Sequence, residues 1–212
     1  MQSSSPASKV FLVIMAIAGW FALIAQLYIN LTSGVAAMGE LIIRYFSYFT
    51  ILTNLIVAIC CTSLLIGNKD FFAKQNTITP IAVYILVVGI VYNVILRFLW
   101  QPQGLQRIVD ELLHSVIPLL FFLYWWLFVK KNELKYGNIP KWLIYPFIYS
   151  IFILIRGSIS GFYPYPFIDM DKIGLNKTLI NVVLLTAGFF FLSLVFVALG
   201  KFMSRKRLYE LK

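Results

Sequence analysis

The sequence has little charge, one histidine and only two cysteines, and each shortage excludes a class of protein. Charged residues make up 12% of the 212 residues, about half of what a soluble domain carries. One histidine, with Cys60 and Cys61 adjacent on another apolar run, does not form a metal ligand set. We therefore expect no metal and no cofactor. A vicinal disulfide would be strained, so we expect two buried thiols.

Apolar residues, by contrast, make up 61% of the chain. About 20 of them cross a bilayer core as a helix, and no alternating strand pattern competes with the long apolar runs. We predict an all-α, polytopic integral membrane protein in which residues 1–212 form one membrane domain. The predicted six-transmembrane-helix bundle has spans at about 10–30, 42–66, 79–100, 108–129, 142–156 and 178–200.

The net charge of +10 does not indicate nucleic-acid binding, because the basic residues follow membrane topology rules. With the N-terminus inside, the inner segments hold twelve of the 18 basic residues: Lys9, Lys69, Lys74, Lys130, Lys131, Lys135, Lys141, Lys201, Arg205, Lys206, Arg207 and Lys212. The N- and C-termini are therefore predicted to be cytoplasmic.

Polar side chains within the spans concentrate at their predicted outer ends. They are Glu40, Arg44, Ser47 and Thr50 on span 2, Asn93 and Arg97 on span 3, Asp110, Glu111 and His114 on span 4, and Arg156 on span 5. Charged groups at membrane depth are costly unless they are paired or line a cavity. This layer predicts a cavity that opens to the outer leaflet.

The stretch RIVDELLHSVIP, residues 107–118, holds the only histidine. Asp110 and His114 are four residues apart and share a helix face. His114 is a candidate general base, and Asp110 is placed to orient its imidazole. The alternatives are a histidine that packs between helices or one that belongs to a proton path.

The candidate nucleophiles lie on span 2, in RYFSYFTILTN, residues 44–54. On a continuous helix Ser47, Thr50 and Asn54 share one face, and Thr50 lies about 9 Å in from Arg44, near the depth of His114. A hydroxyl beside a histidine can attack an ester carbonyl. The alternative is that Ser47 and Thr50 bond to carbonyls of their own helix.

Two arginines and two asparagines complete the predicted site. Arg97 and Arg156 are suited to clamp a lipid carboxylate or phosphate. Alternatively, they snorkel to the interface or pair with Asp110 and Glu111. Asn54 or Asn93 is a candidate donor to an oxyanion.

The loop GFYPYPF, residues 161–167, contains Tyr165. Its prolines and aromatic residues are typical of an interfacial belt, and over a polar cavity they would form a lid or acyl-chain gate.

Together, HSVIP, GFYPYPF and RYFSYFT resemble the androgen-induced / androgen-dependent TFPI-regulating protein superfamily, and FTILTN is similar to its bacterial six-span "Pr-six-Pr" branch. Gly161 and the Tyr165-Pro166-Phe167 run match a G-x-x-x-Y-P-F element, and His114 with Pro118 resembles the family's histidine and following proline. The resemblance implies a six-helix protein of a bacterial inner membrane. It also implies that an intramembrane Thr–His pair hydrolyses fatty acid esters of hydroxy fatty acids. In the family's threonine position this chain has Ser47, and Thr50 lies one turn further.

We therefore predict an intramembrane hydrolase of lipid acyl esters near the outer leaflet, or an acyltransferase that passes the acyl group to another lipid. His114 is the base, Thr50 the first and Ser47 the second candidate nucleophile, and membrane lipids are the partners. The substrate-binding candidates are Arg97, Asn93, Asn54, Arg156 and Tyr165.

One alternative is a non-enzymatic lipid or small-molecule carrier with a proton-linked gate of Asp110, Glu111, Arg97 and His114. The sequence shows neither an inverted repeat nor the pair of interrupted helices typical of carriers. A structural membrane protein with an ion-paired polar layer is the third interpretation.

Overall fold

A computed structural model describes residues 5–67 and 71–209, and side chains up to residue 205. Within these ranges the protein is helical throughout and no strand occurs. The α-helices are α1 (Pro6–Leu31), α2 (Met38–Ser47), α3 (Phe49–Leu65), α4 (Gln75–Val91), α5 (Gly104–Glu111), α6 (Ile117–Phe128), α7 (Ile139–Trp142), α8 (Ile144–Ser160), α9 (Met170–Ile173) and α10 (Leu175–Tyr209). Lys69 and Lys212, and the side chains of Lys206 and Arg207, which contributed to the predicted orientation, lie outside what is described.

The predicted all-helical architecture is confirmed. In the described ranges five helices are long and apolar enough to cross a membrane: Pro6–Thr32, Gln75–Leu96, Gly104–Phe128, Tyr136–Ser160 and Leu175–Arg205. The bent pair α2 and α3 makes a sixth if the two helices form one broken span. All backbone groups must be satisfied inside a bilayer, and helices of this length achieve that. This is the pattern of a multi-pass membrane protein.

Helix α4 is the centre of the bundle. In its most apolar stretch 61% of residues are buried, against 17–33% in the other four long helices. It packs against α3, α6 and α10. Gly89 allows α4 to approach α6 closely, because a Cβ at this position would lie 3.0 Å from Cβ of Pro118. Cys60 and Cys61 lie in the core as free thiols, as predicted.

The prediction of a continuous helix over residues 42–66 is wrong. The chain bends by 75° between α2 and α3, because Tyr48 is extended, with φ −82° and ψ 126°. The bend frees backbone groups, and tyrosines bond to two of them. The Tyr149 hydroxyl donates to the Ser47 carbonyl (2.9 Å), and the Thr50 N–H donates to the Tyr165 hydroxyl (3.3 Å). Non-helical backbone is tolerated at membrane depth when protein groups satisfy it in this way.

Candidate functional site

Two cavities meet at one group of side chains. The larger has a volume of about 340 Å³ and is lined partly by polar residues, among them Gln26, Asn30, Gln106 and Asp110. The smaller, of about 70 Å³, has a mainly apolar lining that α4, α8 and α10 supply. Both are lined by Thr50, Tyr92, Leu96, His114 and Tyr165. The structure therefore brings the predicted nucleophile Thr50 and the predicted base His114 to the same space.

His114 is held from two sides. Its Nδ1 lies 2.9 Å from the Asp110 carbonyl oxygen and 3.2 Å from Asp110 Oδ1. The Tyr92 ring stacks on the imidazole at 4.0 Å between centroids, and the Tyr92 hydroxyl donates to the other carboxylate oxygen of Asp110. Because both neighbours of Nδ1 are acceptors, the neutral ring carries its proton on Nδ1. Nε2 then keeps a lone pair, and no described residue hydrogen-bonds to it.

A local change of helix type positions His114. Between α5 and α6 the chain forms a π-helical turn over Leu112–Val116. There the Ile117 N–H bonds to the Leu112 carbonyl, five residues back, which frees the carbonyl of Leu113. Pro118 has no N–H, so it frees the carbonyl of His114. Such turns within α-helices are frequent at functional sites.

Two asparagines from other helices take up these freed carbonyls. The Asn54 amide donates to the Leu113 carbonyl (3.1 Å) and to the Thr50 carbonyl (2.9 Å). The Asn93 amide donates to the His114 carbonyl (3.2 Å) and to the Gly89 carbonyl (2.8 Å). Since an asparagine amide has two N–H groups, both are fully used. The geometry therefore does not support the predicted oxyanion role of Asn54 or Asn93, and it makes them locks on the His114 backbone.

Thr50 is the second residue of α3, directly after the bend. Its hydroxyl lies 3.4 Å from the Tyr165 hydroxyl, and no hydrogen bond joins it to His114 in the described part of the chain. The first N–H groups of a helix have no intrahelical acceptor and favour negative charge. The bend therefore exposes a cavity-lining hydroxyl at the positive end of α3.

Ser47 occupies a different environment. It is the last residue of α2, fully buried, and its hydroxyl donates to the Ile43 carbonyl at 2.7 Å. It lines neither of the two cavities. The bend has separated Ser47 from Thr50, which a straight helix would have placed on one face. Of the two predicted nucleophiles, only Thr50 faces the space that His114 faces.

Arg97 pairs internally with Glu111, one of the two partners considered for it. Its two terminal nitrogens donate to the two Glu111 oxygens at 2.6 and 2.8 Å. Its Nε donates to Asn93 Oδ1 at 2.9 Å. This bidentate pair uses the fork that was expected to clamp a lipid anion.

Arg156 pairs with neither Asp110 nor Glu111. It donates to Glu40 (2.8 Å) and to the Phe162 carbonyl (3.2 Å), and Arg44 donates to the same Glu40 oxygen. It lines neither of the two cavities. Arg156 thus ties the loop over residues 161–168 to α2, away from Thr50 and His114.

The loop over residues 161–168 brings Tyr165 into the site. The Tyr165 ring stacks on Phe167 at 5.2 Å and meets Tyr48 edge-on at 5.7 Å. Burial raises the pKa of Tyr165 to about 12, so its hydroxyl keeps its proton at neutral pH. Tyr163, in the same loop, packs directly over Gly157 of α8.

Sequence reasoning did not single out Tyr92, Gln26 and Gln106. Tyr92 supplies the ring that stacks on His114. Gln26 and Gln106 bond to each other across the larger cavity. An available signal was Gln26 itself, because an uncharged amide inside an apolar run usually faces the bundle interior or a cavity.

No group of three or more histidine, cysteine, aspartate or glutamate side chains that could hold a metal ion occurs among the described residues. Comparison of the chain with protein-family models, curated proteins and solved structures finds no match. The arrangement of Thr50, His114, Asp110, Tyr92 and Tyr165 is therefore the basis for any assignment of function.

Proposed function

We propose that this protein is an intramembrane hydrolase of lipid acyl esters, with Thr50 as nucleophile and His114 as general base. The observation that carries the proposal is that both side chains line the same two cavities. The resemblance of the RYFSYFT, HSVIP and GFYPYPF segments to a superfamily with an intramembrane Thr–His pair supports it.

The orientation of His114 suits a base. Asp110 accepts the hydrogen bond that His114 donates from Nδ1. The lone pair of Nε2 is therefore available to remove a proton. The Asp110 side chain is only 3% exposed, and in such surroundings its charge stabilises an imidazolium more than it would in water. Tyr92 keeps this carboxylate hydrogen-bonded on its other oxygen.

In the proposed reaction, His114 Nε2 takes the Thr50 hydroxyl proton as Oγ1 bonds to the ester carbonyl carbon. The carbonyl π electrons move to oxygen, which becomes negative. When the tetrahedral intermediate collapses, the carbon–alkoxide bond breaks and the imidazolium gives its proton to the leaving alcohol. Water then attacks the acyl-threonine with His114 as base again, which releases the fatty acid and restores Thr50.

The oxyanion needs donors close to Thr50. The Tyr165 hydroxyl lies 3.4 Å from Thr50 Oγ1 and already accepts the Thr50 N–H, so its own proton is available to a ligand. The positive end of α3 adds a favourable field. We propose Tyr165 and the start of α3 in place of the asparagines.

The two cavities suit the two halves of a lipid ester. The smaller, mainly apolar cavity runs between helices that face lipid and would receive hydrocarbon. The larger cavity, with its amides and hydroxyls, would receive the part that leaves as the alcohol. The scissile carbonyl would then lie where the cavities meet, between Thr50 and His114.

The carrier interpretation has one observation in its favour. The interrupted helices that the sequence did not reveal are present: α2 and α3 meet at a 75° bend, and the chain forms π turns over Tyr92–Leu96 and Leu112–Val116. Broken helices line the binding sites of many transporters. Substrate flux in liposomes without product formation, lost on His114→Ala, would favour this alternative.

The decisive experiment is covalent labelling of the purified protein with a fluorophosphonate that carries an alkyl chain. We expect Thr50→Ala and His114→Ala to abolish labelling and Ser47→Ala to retain it, with the modified peptide containing Thr50. The matched control is Thr186→Ala. Thr186 lines the smaller cavity, but its hydroxyl donates to the Val182 carbonyl at 2.8 Å. Labelling that survives Thr50→Ala would refute the assignment of the nucleophile, and labelling that survives all three substitutions would refute the hydrolase.

A further inference from the structure

Among the described residues, the larger cavity is lined by amide and hydroxyl groups and by His114, but by no lysine or arginine side chain. In the described part of the chain Asp110 supplies the only carboxylate of this lining. An anion taken from water into such a cavity loses its hydration, and it gains no cation in return. The lining therefore opposes a ligand that carries a phosphate or a carboxylate.

The nearby charges do not change this result. The Arg97 guanidinium lies 5.3 Å from the centre of the Tyr92 ring, which forms part of the cavity wall. However, its charge is matched by Glu111 in a bidentate pair. Asp110 adds a negative charge beside the neutral form of His114. Away from the start of α3 at Thr50, the charged side chains around the cavity thus disfavour a second anion.

The polar groups that do line the cavity suit hydroxyls. Gln26 and Gln106 bond to each other through both amides, at 2.9 and 3.4 Å. Each amide has two N–H groups and two oxygen lone pairs, so each keeps one donor and at least one acceptor. The Tyr48 hydroxyl, which also belongs to the lining, has no partner among the described side chains. Paired donors and acceptors of this kind match an alcohol, which both gives and accepts a hydrogen bond.

We infer that the larger cavity binds an uncharged, hydroxyl-bearing head group, so that the substrates are neutral acylglycerol-type esters and not anionic lipids. This inference rests on the proposed function and narrows its substrate class. It also predicts a departure from esters of hydroxy fatty acids, which carry a free carboxylate.

The test is the binding of two ethers that share the same alkyl chain and glycerol and differ in a 3-phosphate, and neither has an acyl ester to hydrolyse. 1-O-Hexadecylglycerol is neutral, and its 3-phosphate is anionic. Both would be titrated into the purified full-length protein in a neutral detergent, at an ionic strength high enough to screen its net charge of +10. Binding would be followed by intrinsic tryptophan fluorescence, since Trp100 lines the cavity.

We expect the neutral ether to bind at least tenfold more tightly than the phosphate. Gln106→Arg should reduce this preference at least tenfold, because it adds a cation to the lining. Gln103→Arg adds the same charge three residues earlier, outside the lining, and should leave the preference unchanged. Equal or tighter binding of the phosphate by the unmodified protein would overturn the inference, as would the absence of saturable binding of the neutral ether.

Hydrolysis of 1-palmitoylglycerol would be measured separately. Neutral-selective binding without hydrolysis would refute the proposed enzyme and leave the ligand class standing. Hydrolysis with a preference for anionic esters would refute only the ligand class.

Discussion

Replacing Gly157 with alanine tests how the loop over residues 161–168 is held over the site. A Cβ at this position would lie 2.0 Å from Cε1 of Tyr163 and 2.4 Å from its Cδ1 and Cζ. Carbon atoms pack at about 3.5 Å or more, so the ring would have to move by about 1.5 Å. The ring is followed directly by Pro164, which limits how the loop can adjust. The displacement should therefore reach Tyr165.

The size of the effect follows from two opposing contributions. Overpacking costs about 1–3 kcal/mol, and alanine recovers about 0.5–1 kcal/mol of helix propensity relative to glycine. We expect a net destabilisation of about 1–2 kcal/mol. A shift of this size would also break the 3.3 Å contact between Thr50 N and the Tyr165 hydroxyl. Misplacement by about 1 Å can cost up to about 100-fold in rate, so we expect labelling by the fluorophosphonate to slow by at least about tenfold.

Thermal unfolding in detergent and the rate of labelling measure the two consequences. Gly188→Ala is the matched control, because Gly188 also lies in a long helix and a Cβ there would meet nothing within 4 Å. This control should be neutral or slightly stabilising. In a Tyr163→Ala background the cost of Gly157→Ala should disappear. If Gly157→Ala proved as stable and as reactive as the unmodified protein, or cost the same in both backgrounds, the packing explanation would be wrong.

Three further substitutions test the hydrogen bonds around the site. Tyr165→Phe removes the acceptor of the Thr50 N–H. We expect a loss of about 1–3 kcal/mol in unfolding free energy and labelling at least tenfold slower. Unchanged labelling would exclude Tyr165 as the oxyanion donor. Asn54→Leu leaves the buried Leu113 carbonyl without its donor and should cost about 1–3 kcal/mol in thermal unfolding. A cost below about 0.5 kcal/mol, typical of surface positions, would contradict its role as a lock. Arg97→Met should lower the unfolding free energy more than the double substitution with Glu111→Met, because the single change leaves a carboxylate unpaired. The two side chains are 35% and 39% exposed, so the difference should be about 1 kcal/mol or less. The opposite order would contradict the pairing.

The membrane architecture could be predicted from the sequence because it depends on hydrophobicity summed over each run of residues. Five of the six predicted apolar runs are long enough to cross a bilayer core on their own, and strands have no competing pattern. The pairing of Asp110 with His114 was also readable, since residues four apart on a helix are neighbours wherever the helix lies. Both conclusions need only local geometry.

The bend at Tyr48 was not readable, because neither proline nor glycine marks it in RYFSYF. It depends on hydroxyl groups that come from more than 100 residues further along the chain, on Tyr149 and Tyr165. The π turn at Leu112–Val116 depends in the same way on Asn54, from another helix. Features stabilised by partners far away in sequence leave no periodic signal where they occur.

The same distinction applies to the predicted substrate-binding asparagines and arginines, because most of their partners are distant in sequence. Among the predicted substrate-binding residues, Asn54 and Asn93 donate to backbone carbonyls, Arg97 mainly to Glu111, and Arg156 mainly to Glu40. The buried Nε of Arg156 has no partner among the described residues. These side chains satisfy an irregular backbone and balance charge, as membrane depth requires.

The polar groups that the proposed reaction uses lie together. His114 Nε2 has no partner among the described residues, and the hydroxyls of Thr50 and Tyr165 contact each other at the rim that the two cavities share. The irregular helices leave these groups free because the asparagines and Tyr149 satisfy part of the disrupted backbone in their place. The proposed site therefore best explains why the chain carries the bend and the π turn. Labelling tests this explanation directly: we expect it to be lost in Thr50→Ala and His114→Ala and kept in Thr186→Ala.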